Sequence, residues 1–137
     1  MRPKRLHHGI MSGIDELDEL IRVTGAEVID YFGKERCCGG PLRGTSEMHD
    51  DLSRELIRQK LFAMKEAGAQ CVVTVCPLCF LQLDSGQLDI KRSFKEEYNI
   101  PVLHFAELLR LAMGMELSDW EIKSHRIPLK SILENWR

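Results

Sequence analysis

Apolar residues fall along this chain in two rhythms, a helical one and a short, dense one. Ile14, Leu17, Leu20 and Ile21 recur at helical spacing. Ser12 stands before them as a candidate N-cap, with Asp15 three residues on as a weak capping box, and Thr24-Gly25 closes the segment. The pattern then predicts a strand from Glu27 to Tyr31 and a glycine-rich loop through Gly33 and Cys37-Cys38-Gly39-Gly40-Pro41. A long helix follows, capped by Thr45 or Ser46, with Glu47, Asp50 and Asp51 in its first turns and Lys65 in its last, as the helix dipole favours. Met48, Leu52 and Leu56 form one i, i+4 stripe on it, and Ile57, Leu61 and Met64 another; Gly68 stops it.

Cys71-Val-Val-Thr-Val75 is short, β-branched and apolar, as suits a strand buried on both faces of a parallel sheet. Pro77 sits where a helix would start, and Gly86 is expected to weaken or end that helix. A further helix is expected from Leu88 to Tyr98, a third strand from Ile100 to Phe105, and a helix from Ala106 to Met113 that ends at Gly114. The tail from Glu116 to Arg137 is amphipathic. This order predicts an α/β fold: a small parallel sheet with crossover helices on its faces, three-layered and Rossmann-like. The expected organisation is a single domain over residues 1–137.

Composition narrows the classes. A net charge of −2 argues against nucleic-acid binding, no apolar run reaches the length of a membrane span, and no apolar stretch follows the basic start as in a secretory signal. The expectation is a cytoplasmic protein. In a reducing compartment, five cysteines point to metal or redox chemistry rather than to a disulfide scaffold. Cys37-Cys38 and the C-x-x-C pair Cys76-Cys79 both follow predicted strands, at the sheet end where ligands of such folds collect. Their thiolates are soft ligands suited to an iron–sulfur cluster, with zinc as the alternative. Cys76 lies where a helix N-terminus would lower a thiol pKa, so a dithiol oxidoreductase built on Cys76 and Cys79 is a third reading. Gly39 and Gly40 are expected to let the backbone approach a bulky ligand. Cys71 lies on the opposite strand face and reads as a bystander. Among the histidines, His49 and His104 are second-rank candidates near the site, His7 and His8 read as solvated, and His125 reads as surface.

The segments Thr24-Gly-Ala-Glu-Val-Ile-Asp-Tyr31, Lys34-Glu-Arg-Cys-Cys-Gly-Gly40 and Val73-Thr-Val-Cys-Pro-Leu-Cys79 resemble the cysteine-rich CCG domain found in the B-type subunit of heterodisulfide reductase. The 37 residues between Cys38 and Cys76 fit that family's spacing. The resemblance implies a 4Fe–4S cluster, of noncubane type in the family, held by Cys37, Cys38, Cys76 and Cys79. It implies a part in electron transfer and reductive cleavage of a CoM-S-S-CoB type disulfide, with other redox subunits, iron–sulfur or flavoprotein, as partners. The family's first motif cysteine, and the strand that carries it, would fall just before Met1. The chain therefore reads as the C-terminal half of the B-type subunit, shortened at its start and inactive as a disulfide reductase on its own. A sheet edge exposed in this way would favour a homo-oligomer.

Overall fold

The computed structural model of the chain describes residues 14–136. The predicted Ser12 cap, His7 and His8 lie outside the described residues. Helix α1 spans Ile14–Val23, and Thr24-Gly25 turns the chain out of it, with Gly25 at a φ of 91°. A 3-10 turn covers Gly40–Leu42. Helix α2 spans Glu47–Glu66; the Ser46 side chain caps it by accepting the His49 N–H, and Gly68, at a φ of 80°, ends it. Strand β1 (Val72–Thr74) leads into α3 (Pro77–Phe94), and β2 (Val102–His104) leads into α4 (Phe105–Ala112). Two short helices, α5 (Asp119–Ser124) and α6 (Lys130–Trp136), complete the described chain.

The fold is α/β, as the pattern predicts. β1 and β2 run parallel in the register Val72 to Val102, Val73 to Leu103 and Thr74 to His104. Side chains alternate across the strands, so the sheet has two apolar faces. On one face, Ile57, Leu61 and Met64 of α2 pack with Leu83 and Ile90 of α3 and with Val72, Ile100 and Val102. On the other, Ile21 of α1, Leu108 and Leu111 of α4, and Leu117 and Leu129 of the tail surround Leu103. Helices thus cover both faces, with the sheet as the middle layer.

The sheet has two strands among the described residues, where three are expected. Residues 26–31 carry no strand, although Ala26, Val28 and Tyr31 pack against the two cores. Ala26, Val28 and Tyr31 turn inward while Glu27, Ile29 and Asp30 are exposed, and no backbone ladder to β1 accompanies them.

Gly86 does not break its helix. α3 runs unbroken from Pro77 to Phe94, where two helices are expected. The glycine is buried where α2 crosses α3, and a Cβ there would meet Ile57 Cγ1 at 3.5 Å, an ordinary contact. Gly86→Ala is therefore expected to be neutral or to stabilise the chain by up to ~1 kcal/mol through helix propensity. Urea unfolding checks this, and a clear loss of stability would show that the two helices cannot give even a methyl's width.

The stripe of Met48, Leu52 and Leu56 is not core: Met48 is 73% exposed and Leu52 49%. The helix faces the core with Ser53, Ile57, Leu61 and Met64 instead.

His125, read as surface, is buried. Its Nε2 lies 2.9 Å from Glu107 Oε1, and the Phe80 ring meets it edge-on at 5.2 Å. Burial is the largest single influence and opposes the charged form of both groups, but their mutual hydrogen bond, their charge attraction and backbone hydrogen bonds together outweigh it. His125 is held above its ordinary 6.5 and Glu107 below its ordinary 4.5. The sign follows by linkage. The histidine contribution is full below pH 6.5 and is lost as pH rises through its raised folded value; the carboxylate contribution is full above pH 4.5 and is lost as pH falls through its lowered one. Glu107→Gln is accordingly expected to cost more stability at about pH 6 than at about pH 9. Denaturant melts at the two pH values measure the difference.

Candidate metal and redox centre

The two cysteine groups reach the same place by different routes. β1 delivers Cys76 directly: Cys76 is the extended N-cap of α3, Pro77 is the first helical residue, and Cys79 follows within the first turn. His104 steadies this corner from β2. Its Nδ1 accepts the Ala106 N–H at 3.2 Å, so its Nε2 carries the proton and donates to the Val75 carbonyl at 3.0 Å. The backbone N–H groups of Cys79 and Leu78 draw the Cys76 thiol below its ordinary range, against a smaller effect of desolvation. Cys79 goes the other way, pushed up to about 12 by burial and then by the neighbouring sulfurs of Cys38 and Cys76.

Cys37 and Cys38 arrive on the loop after α1. Cys38 is buried, and its Sγ lies 3.2 Å from Cys79 Sγ. Cys37 is exposed, and its Sγ accepts the Gly39 N–H at 3.4 Å. Gly39 sits in the left-handed region at a φ of 76°, where a Cβ would come within 3.2 Å of the Ser53 backbone and 3.1 Å of Leu56. At Gly40 a Cβ would meet Leu78 at 3.0 Å and Cys38 Sγ at 3.5 Å. The two glycines thus permit close docking of the loop onto α2 and α3.

A buried polar network fastens that docking. Ser53 Oγ donates to Gly39 O at 2.9 Å, and Gln82 Nε2 donates to Ser53 Oγ at 2.8 Å and to Cys38 O at 3.3 Å. Arg43 donates to Gln82 Oε1 at 3.1 Å and pairs with Asp89. Lys60 grips the preceding turn, donating to the carbonyls of Gly33, Lys34 and Arg36 at 2.9–3.1 Å. Burial lowers its pKa, while the sulfurs of Cys38, Cys79 and Cys37 work in the opposite direction. Lys34 ties the same turn to Asp18 of α1 at 2.5 Å. Tyr31, under Lys60, is raised to about 12 by burial, with Asp18 and Cys79 adding to the shift.

Ser53, Gln82, Arg43 and Lys60 are not singled out by the sequence reading. Ser53 and Gln82 carry one signal that could have found them: each is a polar residue on the apolar stripe of its helix. His49 turns to its own helix cap, with Nδ1 2.7 Å from Thr45 Oγ1. Cys71 packs in the core on the far side of the sheet, its thiol pushed up to about 12 by desolvation.

The donor set is that of a soft-metal or iron–sulfur site. Cys38, Cys79 and Cys76 form a contiguous sulfur group, and Cys37 is beside it in sequence on the same loop. Among the described residues, no group of three or more His, Cys, Asp or Glu side chains is arranged to hold a single metal ion. No helix among them is long and apolar enough to cross a membrane.

The chain is similar to the B-type subunit of a CoB-CoM heterodisulfide reductase of Methanosarcina acetivorans, with 41% identity over 80% of this chain and 36% of the relative. It is also similar to the D-type subunit of a dihydromethanophenazine:CoB–CoM heterodisulfide reductase of Methanosarcina mazei, with 36% identity over 64% of this chain and 21% of that protein. An 8-methylmenaquinol:fumarate reductase membrane anchor subunit of Wolinella succinogenes is 31% identical over 72% of this chain and 34% of its own length. The chain spans about a third of the length of the B-type relatives it matches. The cysteine-rich domain model named CCG matches residues 13–84, which include both cysteine groups and the helix between them. With more than half of its length matched by that model, the chain belongs to the CCG cysteine-rich domain family.

Proposed function

We propose that this chain carries an iron–sulfur redox site of the heterodisulfide reductase B type, with Cys37, Cys38, Cys76 and Cys79 as its ligands. The observation that carries the reading is the meeting of Cys38, on its loop, and Cys79, in the first turn of α3, at 3.2 Å across 41 residues of sequence. When bound, the cluster would supply electron transfer, from a partner iron–sulfur or flavoprotein subunit toward a disulfide of the CoM-S-S-CoB type. The protein's own part is to present the sulfurs. Helix α3 directs backbone N–H groups toward Cys76, which favours anionic sulfur there. The Ser53–Gln82 network holds the Cys38 loop in register with α3. Lys60 spends its donors on three carbonyls and so fixes the loop.

Two other readings are separated by the same experiment. A structural zinc site draws less support, since zinc sites usually use two C-x-x-C-like knuckles and the adjacent pair Cys37-Cys38 is unusual in them. A dithiol oxidoreductase is favoured by exposed Cys76 at the head of α3, with Cys79 less exposed within the first turn. Anaerobic purification followed by metal and acid-labile sulfide analysis decides. A brown protein with iron and sulfide supports the cluster. Stoichiometric zinc without iron supports the zinc module. A colourless, metal-free protein that reduces insulin disulfides supports the dithiol enzyme.

A further inference from the structure

We propose that in the metal-free chain Cys76, Cys79 and Cys38 form a thiol relay that places a disulfide between Cys38 and Cys79. The inference concerns the chain without a cluster, so it stands whether or not the site binds iron. Three observations carry it. The three cysteines are graded by access: Cys76 is exposed, Cys79 is partly buried, and Cys38 is 4% exposed. Cys79 is central, in contact with Cys38 at 3.2 Å and with Cys76 within the same helical turn. The buried Ser53–Gln82 network fixes the Cys38 loop against α3, so Cys38 is held at Cys79 rather than free to swing away.

The relay balances with a low-molecular-weight disulfide as oxidant. One thiol of that oxidant leaves as Cys76 is captured in a mixed disulfide. Cys79 attacks the Cys76 sulfur and expels the second thiol, giving a Cys76–Cys79 disulfide. Cys38 then attacks the Cys79 sulfur and releases Cys76 as a thiol. Two protein thiols are oxidised by two electrons, and one molecule of oxidant is reduced to two thiols. The exposed cysteine is regenerated, and the bond ends where solvent reaches it least. Without the fold, a C-x-x-C pair closes a far shorter loop than residues 38 and 79, so chain entropy alone favours the local disulfide.

The test uses the full 137-residue chain, reduced, freed of metal by a chelator and equilibrated with oxidised glutathione. Trypsin leaves Cys37 and Cys38 on residues 37–43, and Cys71, Cys76 and Cys79 together on residues 66–91. A Cys38–Cys79 bond joins the two peptides, whereas Cys76–Cys79 stays within one. The joined pair is expected to dominate in the folded chain, to persist in Cys37→Ser, and to give way to the internal bond in denaturant. Cys76→Ser is expected to slow its formation roughly tenfold or more without changing the product. A folded chain that ends with Cys76–Cys79 or Cys37–Cys38 as its main bond, or that gives the same distribution folded and denatured, would overturn the proposal. An unchanged rate in Cys76→Ser would overturn the relay.

Discussion

Cys38→Ser is expected to abolish iron and sulfide uptake, while Cys71→Ser leaves it unchanged. The contrast is set by the sheet. Cys38 lies on the side with Cys79, in the core that α2 and α3 build, and its sulfur is already at 3.2 Å from a second thiol. Serine replaces a soft donor by a hard one with a shorter bond, at a position held so tightly that the loop cannot shift to compensate. Cys71 packs among Ile21, Leu103 and Leu108 on the other side, with its thiol directed at the Val72 carbonyl. Cys37→Ser is expected to lose the cluster as Cys38→Ser does. Iron and acid-labile sulfide per chain after anaerobic reconstitution, with the visible absorption band, measure all three. Equal loss in the Cys71 variant would mean that the ligand assignment is wrong.

Asp84→Ala is expected to destabilise the chain by about 3 kcal/mol, the second large effect. Asp84 is 2% exposed in the middle of α3, and its carboxylate accepts the backbone N–H groups of Arg126 and Ile127 at 2.7 and 2.9 Å. Alanine leaves a buried donor at Ile127 and a partly buried one at Arg126 without their acceptor, and releases the segment that carries Ile127 and Leu129 into the core. Asp84→Asn keeps one carbonyl acceptor and is expected to cost about half as much, roughly 1–2 kcal/mol. Urea denaturation of the three proteins gives the values, and a smaller loss in the alanine variant than in the asparagine one would refute the account.

Much of the architecture was legible because local physics and tertiary packing agree. The caps at Ser46 and Gly68, Pro77 at the head of α3, and the β-branched run at Val72 each state a local preference that the fold keeps. The reading failed where a tertiary contact reassigns a residue. Gly86 weakens helices on propensity, yet here it lies buried in α3 against Ile57 of α2, and the packed helix carries it without a break. Residues 26–31 read like a strand because Ala26, Val28 and Tyr31 pack on the two cores, yet they have no ladder partners among the described residues. His125 looked like surface because nothing near it in sequence announces Glu107. At the candidate site, chemistry and spacing single out the cysteines, and the fold brings two of them, Cys38 and Cys79, together. Their supports were not: Ser53, Gln82 and Lys60 act on loops more than a dozen residues away, and spacing does not encode such pairs.

The long separation between Cys38 and Cys79 also dictates an order of maturation. In a zinc finger the donors are close in sequence, and the ion can recruit an unstructured chain and fold it. Here the two sulfurs are brought side by side by helices that must already be packed, and by an amide–hydroxyl latch formed only after that packing. Any inorganic guest is therefore expected to arrive after the polypeptide has folded, and to be delivered to a finished cradle rather than to a nascent strand.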